Sequence, residues 1–250
     1  MFHKGETVTK YSVKSDKGIV RAVNQDSCFL TVFDDGTCFA VVCDGMGGPK
    51  AGDIAADIAI RNISERFVAG WRKSITTDSV KNLLTTSISA ANICVFDAAS
   101  ADPELTGMGT TVVAAVLING TLITAHVGDS RVYLVSDALY LITKDHSLVQ
   151  ELIDSGTLTR EDAKIYPYKN VITRALGIDE HVEIEFTERK IKDEDRILLC
   201  SDGLSNYVSE ESIYEIIKNN EVSETAELLI KTANTNGGGD NITAVVFAEQ

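Results

Sequence analysis

The chain has 250 residues, 44% of them hydrophobic, which is enough to form one large domain with a sizeable core. Its 23 basic and 37 acidic residues give a formal net charge of −14 at pH 7, which disfavours nucleic acid and anionic membranes as partners. Because there are only three prolines and we find neither a low-complexity tract nor an internal repeat, we predict a single domain over residues 1–250.

The five cysteines provide no metal or disulfide framework. Their number is odd, and no CxxC pair or Cys/His spacing suited to zinc occurs. We expect them to be small buried residues in a reducing compartment. The first residues lack the apolar core of a signal peptide, and no apolar run is expected to reach the length of a membrane span. These features predict a cytoplasmic protein with no membrane partner.

Alternating apolar residues and a strong turn signal predict a hairpin near the start of the chain. Strands are predicted at residues 8–14, 27–33 and 37–43. The turn at 34–36, Asp-Asp-Gly, joins the second strand to the third. This hairpin places Asp26 and Asp44 at the same end of two paired strands.

After Pro49 the spacing of apolar residues becomes that of helices. Further along the chain, groups of predicted strands and helices follow. Helices are predicted over residues 54–67 and 79–99, and then over 210–218 and 224–235. Strands are predicted at residues 111–118, 121–127, 131–135, 139–143, 182–186, 196–200 and 242–248. Asn119-Gly120 is the strongest two-residue hairpin turn in the sequence. Residues 147–180 are predicted to form a flap with short helices outside the sheets.

The predicted order is strands, two helices, strands, two helices and a final strand. Strands joined by hairpins form antiparallel sheets, and paired helices need a sheet face to cover. The prediction is therefore an α+β fold, a four-layer α-β-β-α sandwich of two antiparallel sheets flanked by helix pairs. A parallel βαβ sheet is disfavoured because helices and strands do not alternate singly.

The apolar run at residues 39–43 leads directly into Asp44 and a glycine-rich turn. A carboxylate at the mouth of a buried strand is costly unless a partner neutralises it. The carbonyl groups beside Asp44 offer further hard oxygen ligands for Mg²⁺ or Mn²⁺. Taken alone, an Asp-Gly turn that caps the following helix would be the simpler interpretation.

Five acids share this setting at a strand end or in a glycine-flanked turn: Asp26, Asp44, Asp129, Asp202 and Asp240. Any one of them alone would be interpreted as a turn residue. Apolar strands lead into three of them, which favours one shared acidic cluster. Clustered carboxylates raise one another's pKa unless cations lie between them, and oxygen ligands alone favour Mg²⁺ or Mn²⁺ over zinc.

Eight short motifs follow one another along the chain. They are Arg21-Ala22-Val23-Asn24-Gln25-Asp26, Asp44-Gly45-Met46-Gly47-Gly48, Gly109-Thr110-Thr111, Gly128-Asp129-Ser130-Arg131, Asp145-His146-Ser147-Leu148-Val149, Asn170-Val171-Ile172-Thr173-Arg174-Ala175-Leu176-Gly177, Ser201-Asp202-Gly203-Leu204 and Gly239-Asp240-Asn241. In this order they resemble the PP2C-type (PPM) metal-dependent protein phosphatases in their short bacterial form. Each motif is weak alone, but the set is specific, and the resemblance extends from about Val8 to Val246.

The resemblance implies a centre of two tightly bound Mn²⁺ or Mg²⁺ ions and a weaker third. Asp44 would bridge the pair, and the Gly45 carbonyl would bind the second ion. Asp202 and Asp240 would complete the shell of the first ion. Asp129, together with Asp202, would hold the third ion.

The resemblance also implies roles for the residues around the ions. Asp26 would hold a metal-bound water, and Arg21 would clamp the substrate phosphate, so that Arg21, Asp26 and Asp44 form the catalytic set. Animal members carry a histidine just after the Asp-Gly, often proposed as the general acid. Here Met46 stands there and cannot donate a proton, so a metal-bound water is expected to do so. Relatives usually have His-Pro where this chain has Tyr-Pro at 166–167, a change in the flap that bears on substrate preference.

Two other kinds of site are rejected. His126 with Asp129 and a nearby serine could suggest a hydrolase triad, but no GxSxG motif occurs and the serines lie beside competing acids. His126 is expected to be a core or rim residue, and His146 to help cap the following helix. The glycine-rich segments lack the Lys-Ser/Thr of a phosphate-binding loop.

The sequence therefore predicts a metal-dependent hydrolase of phosphoserine and phosphothreonine in proteins, with a water between two Mn²⁺ or Mg²⁺ ions as nucleophile. Its expected partners are phosphorylated proteins, including a cognate bacterial Ser/Thr kinase that it opposes, and a monomer is expected. Two alternatives remain: a catalytically silent phosphoprotein-binding regulator, and a phosphatase specialised for an anti-sigma-factor antagonist. All five acids are present, which favours an active enzyme.

Overall fold

The computed structural model describes residues 9–47, 51–163 and 165–249. Val8 at the start of the predicted first strand and Gly48 in the turn after Asp44 lie outside the described residues. The strands are β1 (Thr9–Asp16), β2 (Asp26–Val32), β3 (Cys38–Met46), β4 (Gly109–Thr110), β5 (Val112–Ile118), β6 (Thr121–Val127), β7 (Arg131–Val135), β8 (Leu139–Leu141), β9 (Glu185–Lys190), β10 (Arg196–Cys200) and β11 (Ile242–Glu249). The helices are α1 (Gly52–Gly70), α2 (Thr77–Ala101), α3 (Leu148–Asp154), α4 (Arg160–Ala163), α5 (Asp202–Ser205), α6 (Glu210–Asn219) and α7 (Val222–Thr235), with a 3-10 turn at Pro103–Leu105.

In the part of the chain that is described, the strands form two antiparallel sheets. One sheet has the order β1-β11-β10-β7-β8, and the other has the order β2-β3-β5-β6-β9 with the short β4 beside β3. The two predicted hairpins are present. In the second of them, Asn119 and Gly120 both have positive φ, as a tight two-residue turn requires. The α+β prediction is confirmed.

Three hydrophobic clusters account for the layering. Helices α1 and α2 pack on the outer face of the second sheet, and α6 and α7 pack on the outer face of the first. The third cluster lies between the two sheets. Along β3, Phe39 and Val41 face the helices whereas Ala40 and Val42 face the other sheet. A strand covered on both faces has to be apolar throughout, which explains the continuous run before Asp44.

Helix α2 differs from the expectation about membrane length. By length and composition alone it could cross a membrane, so the expectation that no apolar run is that long is wrong. Its buried stripe, which includes Val80, Leu84 and Ile88, belongs to the cluster shared with α1 and the second sheet. Core helices of globular proteins pass the same test of length and composition.

The structure moves one predicted strand. The strand expected at residues 182–186 begins at Glu185 instead, and β9 runs to Lys190 along the edge of the second sheet. Val182 and Ile184 are apolar because they pack against the α1–α2 cluster, before the ladder with β6 begins. Their hydrophobicity therefore marks burial and not strand pairing.

The segment 147–180 carries α3 and α4 and returns to the body of the protein by short bridges. Ser147 pairs with Ile172, and Thr110 pairs with Leu176. Ser147 also caps α3 by accepting a hydrogen bond from the Gln150 backbone N–H. The first bridge closes the segment on itself, and the second ties its C-terminal end to β4, which pairs with β3 next to Asp44.

Candidate active site

The five predicted acids meet at one end of the sandwich, and both sheets contribute. Asp26 and Asp44 stand directly opposite each other on β2 and β3 of the second sheet. Asp202 follows β10, and Asp240 precedes β11, its neighbour in the first sheet. Asp129 lies in the turn from β6 to β7, where the chain passes from one sheet to the other. The expectation that strand ends would gather these acids is therefore met geometrically.

Asp26 is held behind the cleft and does not line its surface. The residue is 8% exposed, and Oδ2 accepts hydrogen bonds from the Ser201 hydroxyl (2.6 Å) and the Thr243 hydroxyl (2.7 Å). Among the described residues, Oδ1 has no hydrogen-bond partner. A buried carboxylate oxygen without a partner calls for a cation or a water.

Asp44 is positioned by its own backbone. Its N–H donates to the Thr111 hydroxyl (3.1 Å), and its carbonyl accepts from the Thr111 N–H and the Thr110 hydroxyl, each at 2.9 Å. The next residue is glycine because the chain is crowded there. A Cβ on Gly45 would lie 1.9 Å from the Gly52 carbonyl oxygen and 2.7 Å from that of Gln25. Only glycine permits this approach of the α1 N-terminus to the end of β3.

Burial dominates the electrostatics of the acidic cluster, although Arg21 pairs with Asp240, and Arg131 acts to lower the pKa of Asp129 and Asp202. Burial raises the pKa of Asp26 to about 7, against hydrogen bonds that lower it. Burial also raises the pKa of Asp129 to about 7 and that of Asp202 to about 6, and the nearby acids raise them further. Burial and the charges of its neighbours raise the pKa of Asp44 well above its ordinary value.

These observations fit a divalent-cation centre. Buried carboxylates that repel one another, an oxygen without a partner and exclusively oxygen donors are the chemistry that Mg²⁺ and Mn²⁺ prefer. An acid with its own cation behaves differently: Arg131 binds both oxygens of the nearby Asp145, with its closest contact at 2.6 Å. The cluster has no such arrangement with Asp26 or Asp44 among the described residues.

The cluster opens into a cleft of about 490 Å³. It is lined by Asp44, Gly45, Asp129, Asp202 and Asp240, together with Arg21, Gln25, Met46, Thr111, Asn170, Ile172 and Asn241 among others. Arg21 stands at the rim with half of its side chain exposed, and its Nη2 donates to Asp240 Oδ2 at 2.9 Å. Asn170 and Ile172 bring the predicted flap segment to the same cleft.

The loop that carries Arg21 is fixed by Asn241, a residue to which the sequence analysis gave no role. Its Oδ1 accepts from the Gln25 N–H, and its Nδ2 donates to the carbonyls of Lys17 and Val23, each at 2.9 Å. Ser201, Thr243 and Thr111 are likewise functional supports that were missed. Asn241, Ser201 and Thr111 lie inside the quoted motifs, so their position next to acids was the available signal.

The two histidines do not form a catalytic triad. The ring of His126 lies in β6, 1% exposed, with its Nε2 against the Lys144 carbonyl (2.8 Å). His146 does not cap α3 as expected, because Ser147 does so, and its ring turns inward to Gly128 and Glu185. The core position predicted for His126 is confirmed, and the capping role predicted for His146 is wrong.

Fold and cleft together define a class of protein: an α+β sandwich whose strand ends gather carboxylates at a cleft with an arginine at its rim. Comparison with known proteins gives the family. The family model described as Protein phosphatase 2C matches residues 19–238. A serine/threonine phosphatase, stp, of Listeria innocua is 38% identical over 238 residues, which cover 93% of each chain.

Solved structures agree. The crystal structure of the Mycobacterium tuberculosis serine/threonine phosphatase PstP/Ppp superposes with a TM-score of 0.87 at 37% identity, covering 96% of this chain and 98% of that one. A PstP catalytic domain in complex with two manganese ions superposes with a TM-score of 0.84 at 37% identity, covering 97% and 99% of the two chains. The chain belongs to the protein phosphatase 2C family of serine/threonine phosphatases.

Proposed function

We propose that this protein removes phosphate from phosphoserine and phosphothreonine in proteins, using two divalent cations at the acidic cluster. The observation that carries the proposal is the convergence of five carboxylates at a cleft whose rim holds Arg21, with no cationic partner for Asp26 or Asp44 among the described residues. The relatives named serine/threonine phosphatase, and the one solved with two manganese ions, support it.

The residues that would hold the cations are those at the cleft surface. We assign Asp44, the Gly45 carbonyl, Asp202 and Asp240 to two Mn²⁺ or Mg²⁺ ions, and Asp129 with Asp202 to a weaker third. When bound, such ions neutralise the carboxylates, polarise the phosphoryl oxygens and make a water nucleophilic at neutral pH. Asp26 lies behind the surface, where Ser201 and Thr243 bind its Oδ2; its Oδ1, without a partner among the described residues, would accept a hydrogen bond from a metal-bound water.

Arg21 would bind the substrate phosphate. A guanidinium has five N–H donors, and the described contact to Asp240 uses one of them. The exposed half of the side chain leaves the remaining donors available to a phosphate that enters the cleft. Met46 lines the same cleft but has no ionisable proton, so it does not protonate the leaving alkoxide.

The expected partners follow from this chemistry. The substrates are phosphorylated proteins, and a cognate bacterial Ser/Thr kinase whose action the enzyme reverses is among them. We propose a cytoplasmic monomer. A silent phosphoprotein-binding regulator is disfavoured because none of the five acids is replaced.

The test is hydrolysis of a phosphothreonine peptide by purified protein that has been stripped with EDTA. We expect no turnover without metal, and recovery on addition of Mn²⁺ or Mg²⁺. Turnover that EDTA does not affect would contradict the metal assignment. Binding of the phosphopeptide without hydrolysis under any metal would favour the regulator.

A further inference from the structure

Next to the acidic cluster lies a second group of titratable side chains, to which no role has been given. His126, His146 and Glu185 have potential ligand atoms within 4.8 Å of one another; we call them the histidine cluster. His126 and Glu185 are partners across β6 and β9, and the two histidine rings stack with centroids 4.7 Å apart. In the described residues, Nδ1 of His126 is buried without a partner.

Two features argue against a metal ion in the histidine cluster. The imidazole planes of His126 and His146 lie within 18° of parallel, so the in-plane lone pairs of the stacked rings do not converge on one point. In addition, the Gly128 N–H donates to Nδ1 of His146 (3.2 Å). If neutral His146 bound a metal through Nε2, its proton would be on Nδ1. That proton would face the Gly128 N–H, so two donors would oppose each other.

The same hydrogen bonds define the state of each ring. A carbonyl only accepts, so Nε2 of His126 carries the proton that it gives to Lys144. Nδ1 of His146 accepts from Gly128, so its proton is on Nε2, which donates to Glu185 Oε2 at 3.2 Å. Burial lowers the pKa of His146, which keeps this ring neutral.

His146 holds Gly128 from both sides. Its ring accepts from the Gly128 N–H, and its own backbone N–H donates to the Gly128 carbonyl at 2.9 Å. Gly128 has φ of +109°, and a Cβ there would lie 2.6 Å from a methyl carbon of Thr111. The chain is thus forced through a conformation that only glycine adopts readily, immediately before Asp129.

The other side of Asp129 is fixed independently. The Ser130 hydroxyl bonds to the Thr111 hydroxyl (2.7 Å), which also accepts from the Asp44 N–H. Arg131 is anchored on Asp145. His146 is therefore the side chain that fixes the turn on the N-terminal side of Asp129.

We propose that Glu185 and His146 are positioning residues for Asp129: the Glu185 carboxylate sets the tautomer of His146, which in turn fixes the Gly128 backbone and the direction of the Asp129 carboxylate. In the part of the chain that is described, Glu185 does not line the cleft, and its side chain bonds to His146. The inference rests on the proposed function, because Asp129 matters only if the cluster binds cations.

The experiment compares Glu185→Leu with Glu185→Gln, whose amide oxygen can still accept the Nε2 proton. Removing the hydrogen-bond partner of a residue at a metal site typically lowers metal affinity or activity about 10–100-fold. Glu185→Leu should therefore lower kcat roughly tenfold on a phosphopeptide in Mn²⁺. Glu185→Gln should stay within about threefold of the wild type. The matched control is Glu188→Ala. Glu188 lies on the same strand as Glu185, and the change removes its ion pair with Lys81 of α2, so kcat should be unchanged.

A double-mutant cycle separates positioning from general damage. If Glu185 acts through Asp129, then Asp129→Ala with Glu185→Leu should be no slower than Asp129→Ala alone. Multiplied effects would overturn the proposal, as would equal losses in the Leu and Gln variants, or a loss below about threefold in Glu185→Leu.

A second measurement needs neither metal nor activity. Nitrogen NMR of the histidine rings in EDTA should show His146 protonated at Nε2 in the wild type and in Glu185→Gln. In Glu185→Leu this signature should change, together with the Gly128 amide resonance. If the His146 tautomer and the Gly128 amide resonance are unchanged in Glu185→Leu, the positioning proposal is overturned, whatever the activity of the protein. Absence of phosphatase activity in the wild type would instead count only against the proposed function.

Discussion

The acidic cluster and the histidine cluster lie side by side, and both are buried groups of titratable side chains. They differ in what satisfies them. Each proton-bearing ring nitrogen of the histidine cluster meets an oxygen of the protein. In the acidic cluster, the charges of Asp26 and Asp202 raise the pKa of Asp44, and Oδ1 of Asp26 has no hydrogen-bond partner among the described residues. Buried charge that the protein does not neutralise indicates a place where a ligand binds. Buried groups whose protons are hydrogen-bonded within the protein instead help to hold the site in place.

Among the variants that test this comparison, Asp44→Asn should lower activity the most. An amide keeps an oxygen in place but removes the charge that would bridge two cations, so kcat should fall by roughly 10³-fold. The fold should persist, because the side chain has nearly the same size and loses its repulsion with Asp26. Phosphopeptide turnover and circular dichroism would measure the two effects.

The control for this variant is Asp34→Asn, at the exposed turn of the same β2–β3 hairpin. It removes the same charge at the opposite end of the same strands and should leave kcat unchanged. Equal losses in the two variants would show that net charge, and not position, is responsible.

Asp129→Ala should rank second. In the proposed centre, Asp129 would share an ion with Asp202 and bring few charges to it, so that ion should bind weakly and keep most of its water. Loss of the site should lower kcat by roughly 10²-fold, since proton transfer to the leaving group has no donor in Met46. Calorimetry should still find two tight Mn²⁺ ions per chain. Full kcat throughout a Mn²⁺ titration would reduce Asp129 to a turn residue.

Arg21→Ala should have a smaller effect of a different kind. Removing a charge-assisted phosphate contact should raise KM for small phosphate esters by roughly tenfold and change kcat little. Arg66→Ala, on the exposed face of α1, removes the same charge far from the cleft and serves as the control. An unchanged KM in Arg21→Ala would contradict the phosphate assignment.

The smallest expected effect is the change in the stability of the metal-free protein with pH. Burial raises the pKa of Asp26 and Asp129 to about 7 and that of Asp202 to about 6, above the unfolded value of 3.8. These groups favour folding fully below pH 3.8 and lose that contribution as pH rises through 6 to 7. In EDTA, the contribution of these acids should therefore lower Tm between pH 5 and 7.5, and Mn²⁺ should raise Tm at pH 7.5. A Tm indifferent to Mn²⁺ at pH 7.5 would contradict this.

Sequence patterns predicted much of this architecture because the deciding information is local. A turn such as Asn119-Gly120 fixes its own hairpin, and the pairing of Asp26 with Asp44 follows from the turn at 34–36. The partners of Asp26 could not be predicted in that way. Ser201 and Thr243 are 175 and 217 residues away in the chain, so the packing of the two sheets alone brings them together.

The errors have a similar origin. Val182 and Ile184 were apolar for packing and not for pairing, and His146 stood beside a helix that its neighbour Ser147 caps. In each case the local pattern was compatible with two structures, and a tertiary contact decided between them.

The most direct test of the central account is calorimetric titration of Mn²⁺ into EDTA-stripped wild-type protein and Asp44→Asn. We predict at least two tightly bound ions per chain in the wild type, with release of protons from the cluster at pH 7, and loss of the tight sites in the variant. Absence of tight Mn²⁺ binding by the wild type, or the same binding by the variant, would contradict the assignment of the acidic cluster as the metal centre.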